Sequence, residues 1–201
     1  MVGRALIPLT LLPLLAGAAV DGAPACQELH LHAVSTADGA RYALAEDVQL
    51  VFGRDESLDT GADYGQRAML YRSEAGVVRR TYFSAGAEDS SAMAPSFFGR
   101  CGPHELLILA DIGNESAWGF RVFAYDGKTL RDLGVVPIAV RGDGNMESAI
   151  PFVNLTPRGE VIDLTFTTDV IQDPESRSQR PVAAKDVLYQ IGPISIKQRS
   201  R

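Results

Sequence analysis

ELLILADIGNESAWGFRVFAYDGKTLRDL, the stretch from Glu105 to Leu133, decides how this chain folds. Leu106 to Ala110 is a continuous apolar run, short enough for a strand covered on both faces. Further on, Asp126-Gly127 separates two runs rich in aromatic and branched residues. Gly takes the positive φ of a tight turn, so the pair predicts a β-hairpin. Two registers fit it. A two-residue loop sets Arg121 opposite Asp132, Phe123 opposite Leu130 and Phe120 opposite Leu133. A four-residue loop, Asp126 to Thr129, sets Tyr125 opposite Leu130, Val122 opposite Leu133 and Phe120 opposite Val135. Either gives apolar cross-strand pairs, which place the segment in the middle of a sheet.

Working outward, the same signals recur. From Gln27 the chain alternates, with Leu29, Leu31 and Ala33 against Glu28, His30 and His32, as a half-buried strand does. Ala37-Asp38-Gly39 is a turn, Arg41 to Leu44 a returning strand and Val48 to Phe52 a third. Gly53 to Gly65 is a polar loop. Arg67 to Tyr71 and Val77 to Phe83 flank a second hairpin turn, Ser73-Glu74-Ala75-Gly76. Ser84 to Ser96 is small and polar and reads as a loop. Val135 to Val140 continues as strand until Arg141-Gly142-Asp143-Gly144-Asn145 breaks it. Ala149 to Leu155 and Glu160 to Thr167 form a third hairpin around Thr156-Pro157-Arg158-Gly159. Asp173 to Ala184 reads as exposed and mobile, Val187 to Ile196 as a last strand, and Lys197 to Arg201 as a frayed tail. Almost no stretch has the spacing of a long amphipathic helix, so the fold class is all-β.

The 201 residues suit one domain, preceded by a leader. Arg4, the apolar run Ala5 to Leu15 and the small residues after it have the layout of a secretory signal peptide over residues 1–25. Pro8 and Pro13 interrupt the run, which is shorter than the ~20 apolar residues of a spanning helix. Cleavage motifs stand at Ala16-Gly17-Ala18 and Ala23-Pro24-Ala25, and both stay open. Residues 26–201 then form a single all-β domain. Two cysteines in an exported chain most simply pair, so a Cys26–Cys101 disulfide is expected, contributing roughly 4 kcal/mol in the chain-entropy model. The alternative is a lipid on Cys26 and a free Cys101. The formal net charge of −6 is unchanged by removing the leader, which carries only Arg4 and Asp21. An acidic chain lacking a basic stripe points away from nucleic acid and anionic membranes and toward a basic protein partner.

Three units, each a strand followed by a hairpin, occupy roughly Val48 to Phe83, Glu105 to Val140 and Ala149 to Ile196. With the turn Tyr125-Asp126-Gly127-Lys128-Thr129 they resemble blades of a β-propeller of the WD or quinoprotein-like sort, although the WD dipeptide is absent. The resemblance implies antiparallel hairpins in a partial β-propeller-like sheet array, or a twisted sandwich. In size, export and strand content the chain also resembles periplasmic inhibitor and immunity proteins that block cell-wall hydrolases, which implies a non-enzymatic binding role.

No cofactor signature is present. Gly127-Lys128-Thr129 lacks the Gly of a phosphate loop, having Val122 in its place. Asp143 to Glu147 opens like a calcium loop but has Ser148 where the sharp-turn Gly belongs and Asn154 where the bidentate Glu belongs. Asp111 with Gly113 and Asn114 fails the same test. There is no G-x-S-x-G elbow. The remaining metal or hydrolase candidates are His30 and His32 on one strand face, with His104 drawn toward them by the disulfide. Tyr64, Tyr71 and Tyr82 are candidates for a small-ligand or glycan surface. The strongest binding candidates are the loop Asn114, Glu115, Ser116 and Trp118, which joins two central strands and carries the sole Trp, and the acidic turn Asp143, Asn145 and Glu147.

Overall fold

A computed structural model describes residues 26–36, 39–176 and 178–199. The predicted leader, residues 1–25, lies outside the described residues. The chain is all-β and antiparallel, with single 3₁₀ turns as the only helical elements among the described residues. Its first ten strands are β1 (Gln27–Leu29), β2 (Ala33–Thr36), β3 (Gly39–Ala45), β4 (Val48–Gly53), β5 (Arg67–Glu74), β6 (Val77–Phe83), β7 (Ala92–Cys101), β8 (His104–Gly113), β9 (Ala117–Tyr125) and β10 (Leu130–Val136). The rest are β11 (Ile138–Arg141), β12 (Met146–Ser148), β13 (Val153–Arg158), β14 (Val161–Phe166), β15 (Val170–Gln172), β16 (Pro181–Val182), β17 (Leu188–Ile191) and β18 (Ile196–Arg199).

Four sheets result. The first is the meander β2-β3-β4-β5-β6, and the second, central one has the order β1-β7-β8-β9-β10. The third is β12-β11-β15-β16 and the fourth β13-β14-β17-β18. The central sheet is covered on both faces. Leu106, Ile108, Ala110 and Phe123 join Leu50, Phe52 and Leu70 of the first sheet in one core. Leu107, Leu109, Phe120 and Val122 join Ile138, Ile162, Leu164 and Tyr189 of the third and fourth sheets in another. Successive side chains of a strand point to opposite faces, so a run apolar at every position serves two cores at once.

The Asp126-Gly127 hairpin forms with the four-residue loop, beginning at Tyr125 opposite Leu130. Asp126 closes it: its carboxylate accepts from the N–H groups of Lys128 (3.0 Å) and Thr129 (2.7 Å), satisfying the turn internally. A bulge at Leu133 then shifts the register, so Val122 faces Gly134 and Phe120 faces Val136. Leu133 can turn into the core because of it. Arg121 still meets Asp132, at 3.2 Å, although the two are no longer directly opposite.

Several expectations are corrected. The strand from Gln27 breaks at His30–His32, and its two halves serve different sheets. Leu29 lies opposite Phe97, so the next positions would run beside Pro95, which has no N–H to offer an added strand. The supposed loop Ser84–Ser96 supplies the first half of β7, from Ala92, whose small residues pair with β8 from Gly113 down to Leu109. The strand expected through Val140 ends before Pro137, and Ile138 begins the third sheet. The segment Asp173 to Ala184 contributes β16, paired with Val170 and Ile171. The tail is not frayed through Arg199, since Leu188–Ile191 pairs with Ile196–Arg199. The three units are thus four sheets. The disulfide expected between Cys26 and Cys101 is present, with Cα atoms 4.7 Å apart, and fits an oxidising compartment. Among the described residues no helix is long and apolar enough to cross a membrane.

A cleft between two acidic loops

On the central sheet's second face, β8 carries Leu107 and Leu109 into the core, and the next residue of that row is Asp111. Here the packing opens. Asp111 forms the floor of a cleft whose walls are the loops at residues 113–117 and 142–148. Two parts of it, of about 300 Å³ and 370 Å³, share Asp111 and Ser148 in their lining. A third part, of about 190 Å³, adjoins through Ser116 and Met146.

Local sequence explains both walls. Gly113 is clamped from below, its N–H donating to Ser90 Oγ at 2.9 Å and its carbonyl accepting from the Ser91 N–H at 2.9 Å. The following turn closes with the Asn114 N–H on the Ser116 carbonyl (3.2 Å). On the other side the Gly142 N–H donates to the Asn145 carbonyl (2.9 Å), and Gly144 supplies a φ of 106°. The Glu147 side chain lies over Gly142, where a Cβ would displace it. The two walls are joined directly: Asn145 Nδ2 donates to the Glu115 carbonyl at 3.3 Å. Stretches thirty residues apart, singled out separately in the sequence, therefore share one site.

The chemistry is acidic. Glu28, Asp111, Glu115 and Glu147 line the two larger parts together with Ser91, Ser96 and Ser148, and no Lys, Arg or His is among their described lining residues. Ser148 Oγ donates to Asp111 Oδ1 at 2.7 Å and accepts from the Ile150 N–H at 3.1 Å. Burial pushes the Asp111 carboxyl up to about 6, with the Ser148 hydrogen bond pulling the other way. Arg141 borders only the smallest part, and its guanidinium donates to the Gln179 carbonyl at 3.0 Å.

Of the predicted binding residues, Asn114, Glu115, Ser116, Asn145 and Glu147 line the cleft. Trp118 does not. It is the extra residue of a bulge, since Ile112 pairs with Gly119 and Gly113 with Ala117, and it is half-buried. Asp143 is exposed at the tip of its turn, outside the lining. In the sequence Asp111 came forward only as a rejected calcium ligand, and Ser148 and Glu28 carried no binding signal. Asp111 carried a signal: it continues the odd-numbered row Leu107, Leu109, so a carboxylate stands where the period puts an apolar residue.

The histidine constellation does not assemble. β1 runs away from the disulfide, and Cys26 and His30 are separated by four residues of extended chain, about 13 Å. His30 and His32 are exposed between strands, whereas His104 is buried opposite Cys101 with Nε2 unpartnered. Among the described residues no three His, Cys, Asp or Glu side chains are grouped to hold a metal. The tyrosines do not form one surface either: Tyr71 lies opposite Arg80, while Tyr82 lies opposite Leu70 on the other face and packs on the core. The chain matches no protein-family model, no curated protein and no solved structure.

Proposed function

We propose that the chain is an exported, non-enzymatic binding protein whose acidic cleft receives a cationic segment of a protein partner. In this reading it works as an inhibitor or immunity protein for a partner that acts on the cell envelope. One observation carries it: carboxylates from three separate stretches, Glu28, Asp111 with Glu115, and Glu147, line the two larger parts of the cleft together with hydroxyls and with no described cation. A lysine or arginine entering it stabilises the ionised form of Asp111, which burial disfavours when the cleft is empty, and lays its aliphatic stem against Ile112 and Met146. The formal net charge of −6 steers a basic surface toward it. Export is supported by the disulfide, which also leaves no Cys26 thiol for a lipid.

The test is retention from an envelope extract by immobilised wild type and by Glu115→Ala/Ser116→Ala and Glu147→Gln variants. A basic protein should be held by the wild type, released by added salt, and held at least about tenfold more weakly by the variants. Retention indifferent to all three changes and to salt would remove the cleft from the function.

A further inference from the structure

The first sheet ends at β6, Val77 to Phe83, and among the described residues no strand pairs with its other side. Its hairpin to β5 fixes which backbone groups face outward. Ala75 and Gly76 have φ of 50° and 79°, a two-residue turn of the type that makes Glu74 and Val77 a hydrogen-bonded pair. Arg72 and Arg79 are the next such pair. Val78 and Arg80 therefore turn their N–H and C=O groups to the open edge. The opposite strand agrees: Ser73, across from Val78, sends its N–H away from β6 to the Asp47 carbonyl at 2.8 Å. A bulge at Thr81 ends the regular ladder, leaving Val77–Arg80 as the open stretch.

The side chains on this edge are apolar and basic. Val77, Val78 and Phe83 are 51%, 57% and 49% exposed, three of the seven large hydrophobics exposed among the described residues. Arg79 and Arg80 are the strand's only charges. Arg80 is paired with Asp55, whereas Arg79 has no carboxylate within 4.0 Å among the described residues. A second copy is a poor occupant. Outward-facing residues must pair with outward-facing residues, so the antiparallel register that uses both Val78 and Arg80 sets Arg79 against Arg79 of the other copy, a like-charge pair. A carboxylate at that position inverts the sign.

We propose that β6 is an acceptor edge for an extended acidic segment of a partner protein, which adds as an antiparallel strand with a carboxylate opposite Arg79 and branched side chains opposite Val78 and Arg80. This surface is distinct from the acidic cleft and calls for the opposite charge.

The probe is the capped octapeptide TVEVEVTS, with TVKVKVTS as its counterpart, titrated into the intact chain at low ionic strength. The acidic peptide should slow amide exchange at Val78 and Arg80 and bind about tenfold more tightly than the basic one. Val78→Pro, which an edge strand tolerates because only the outward N–H is lost, should abolish that protection. Arg79→Glu should reverse the peptide preference, and it tests the idea even if the proline variant folds poorly. Unslowed exchange at saturating peptide, or equal affinity for both peptides, would overturn the proposal. So would a concentration-dependent dimer that Val78→Pro dissolves, since the edge would then belong to a second copy.

Discussion

The central sheet and the first sheet have five strands each and opposite surroundings. In the central sheet every residue from Leu106 to Ala110 is buried, and alternate side chains serve two cores. The first sheet packs one face on the central sheet, and its other face holds an ionic cluster and two Arg–aromatic contacts, Arg41 over Tyr71 and Arg80 over Phe83. Coverage, rather than strand length, decides which elements are fixed and which are available to a partner. Two phenylalanines test this most sharply. Phe123→Ala, at a fully buried position of the central sheet, should lose about 3–5 kcal/mol in urea titration. Phe83→Ala, half-exposed on β6, should stay within about 0.5 kcal/mol. Similar losses at both sites would show that the outer face of the first sheet is as well supported as the core.

What stands in for a second core on the first sheet is Arg67. Its guanidinium is 0% exposed and reaches Asp59 at 2.9 Å, Asp63 at 3.5 Å and the Ser84 carbonyl at 3.2 Å, so the polar loop after β4 folds onto the sheet. Removing one member of a buried ionic cluster strands the others, although Asp59 and Asp63 are partly solvated and dilute the loss. Arg67→Met should cost about 2–3 kcal/mol and speed amide exchange through residues 54–66. A variant as stable as the wild type would mean that the loop holds without its anchor.

The same contrast explains how much was legible in the sequence. Doubly covered strands announce themselves, as Leu106–Ala110 does, because burial on both faces leaves no room for polar residues. Turns were legible wherever Gly or Asx chemistry demanded them, at Ala75-Gly76 and Asp126-Gly127. The first half of β7 was not: Ala92, Ala94, Pro95 and Ser96 carry little β-propensity and are held by pairing with β8, a tertiary effect. Pro137 hid the step between sheets, because a local reading sees one apolar run on either side of it. At the candidate site Glu115 and Glu147 could be named individually. Their meeting depends on Asn145 reaching the Glu115 carbonyl, which no local pattern encodes.

Two titratable groups near opposite ends of β8 sharpen the comparison at the smallest scale. Burial pushes Asp111 up to about 6, from 3.8. Its contribution to stability is therefore fully present below the unfolded value and is lost as pH rises through about 6. Burial acts on His104 in the other direction, lowering its pKa below 6.5, with a hydrogen bond to the Gly192 backbone opposing the shift. Its contribution is present above 6.5 and is lost as pH falls through the folded value. Between about pH 4 and 6.5 the two oppose each other, which flattens the acid limb of the wild-type curve. Asp111→Asn keeps an acceptor for the Ser148 hydroxyl and removes the titration. It should raise stability at pH 8 by on the order of 1 kcal/mol, since a desolvated charge is gone. Below pH 6 the variant should lose stability more steeply than the wild type, because the His104 effect is no longer offset. Urea midpoints of the two proteins at pH 5 and pH 8 decide it. Parallel shifts would mean that the Asp111 carboxylate is well solvated, and the cleft floor would then resemble the open face of the first sheet rather than the interior of the central one.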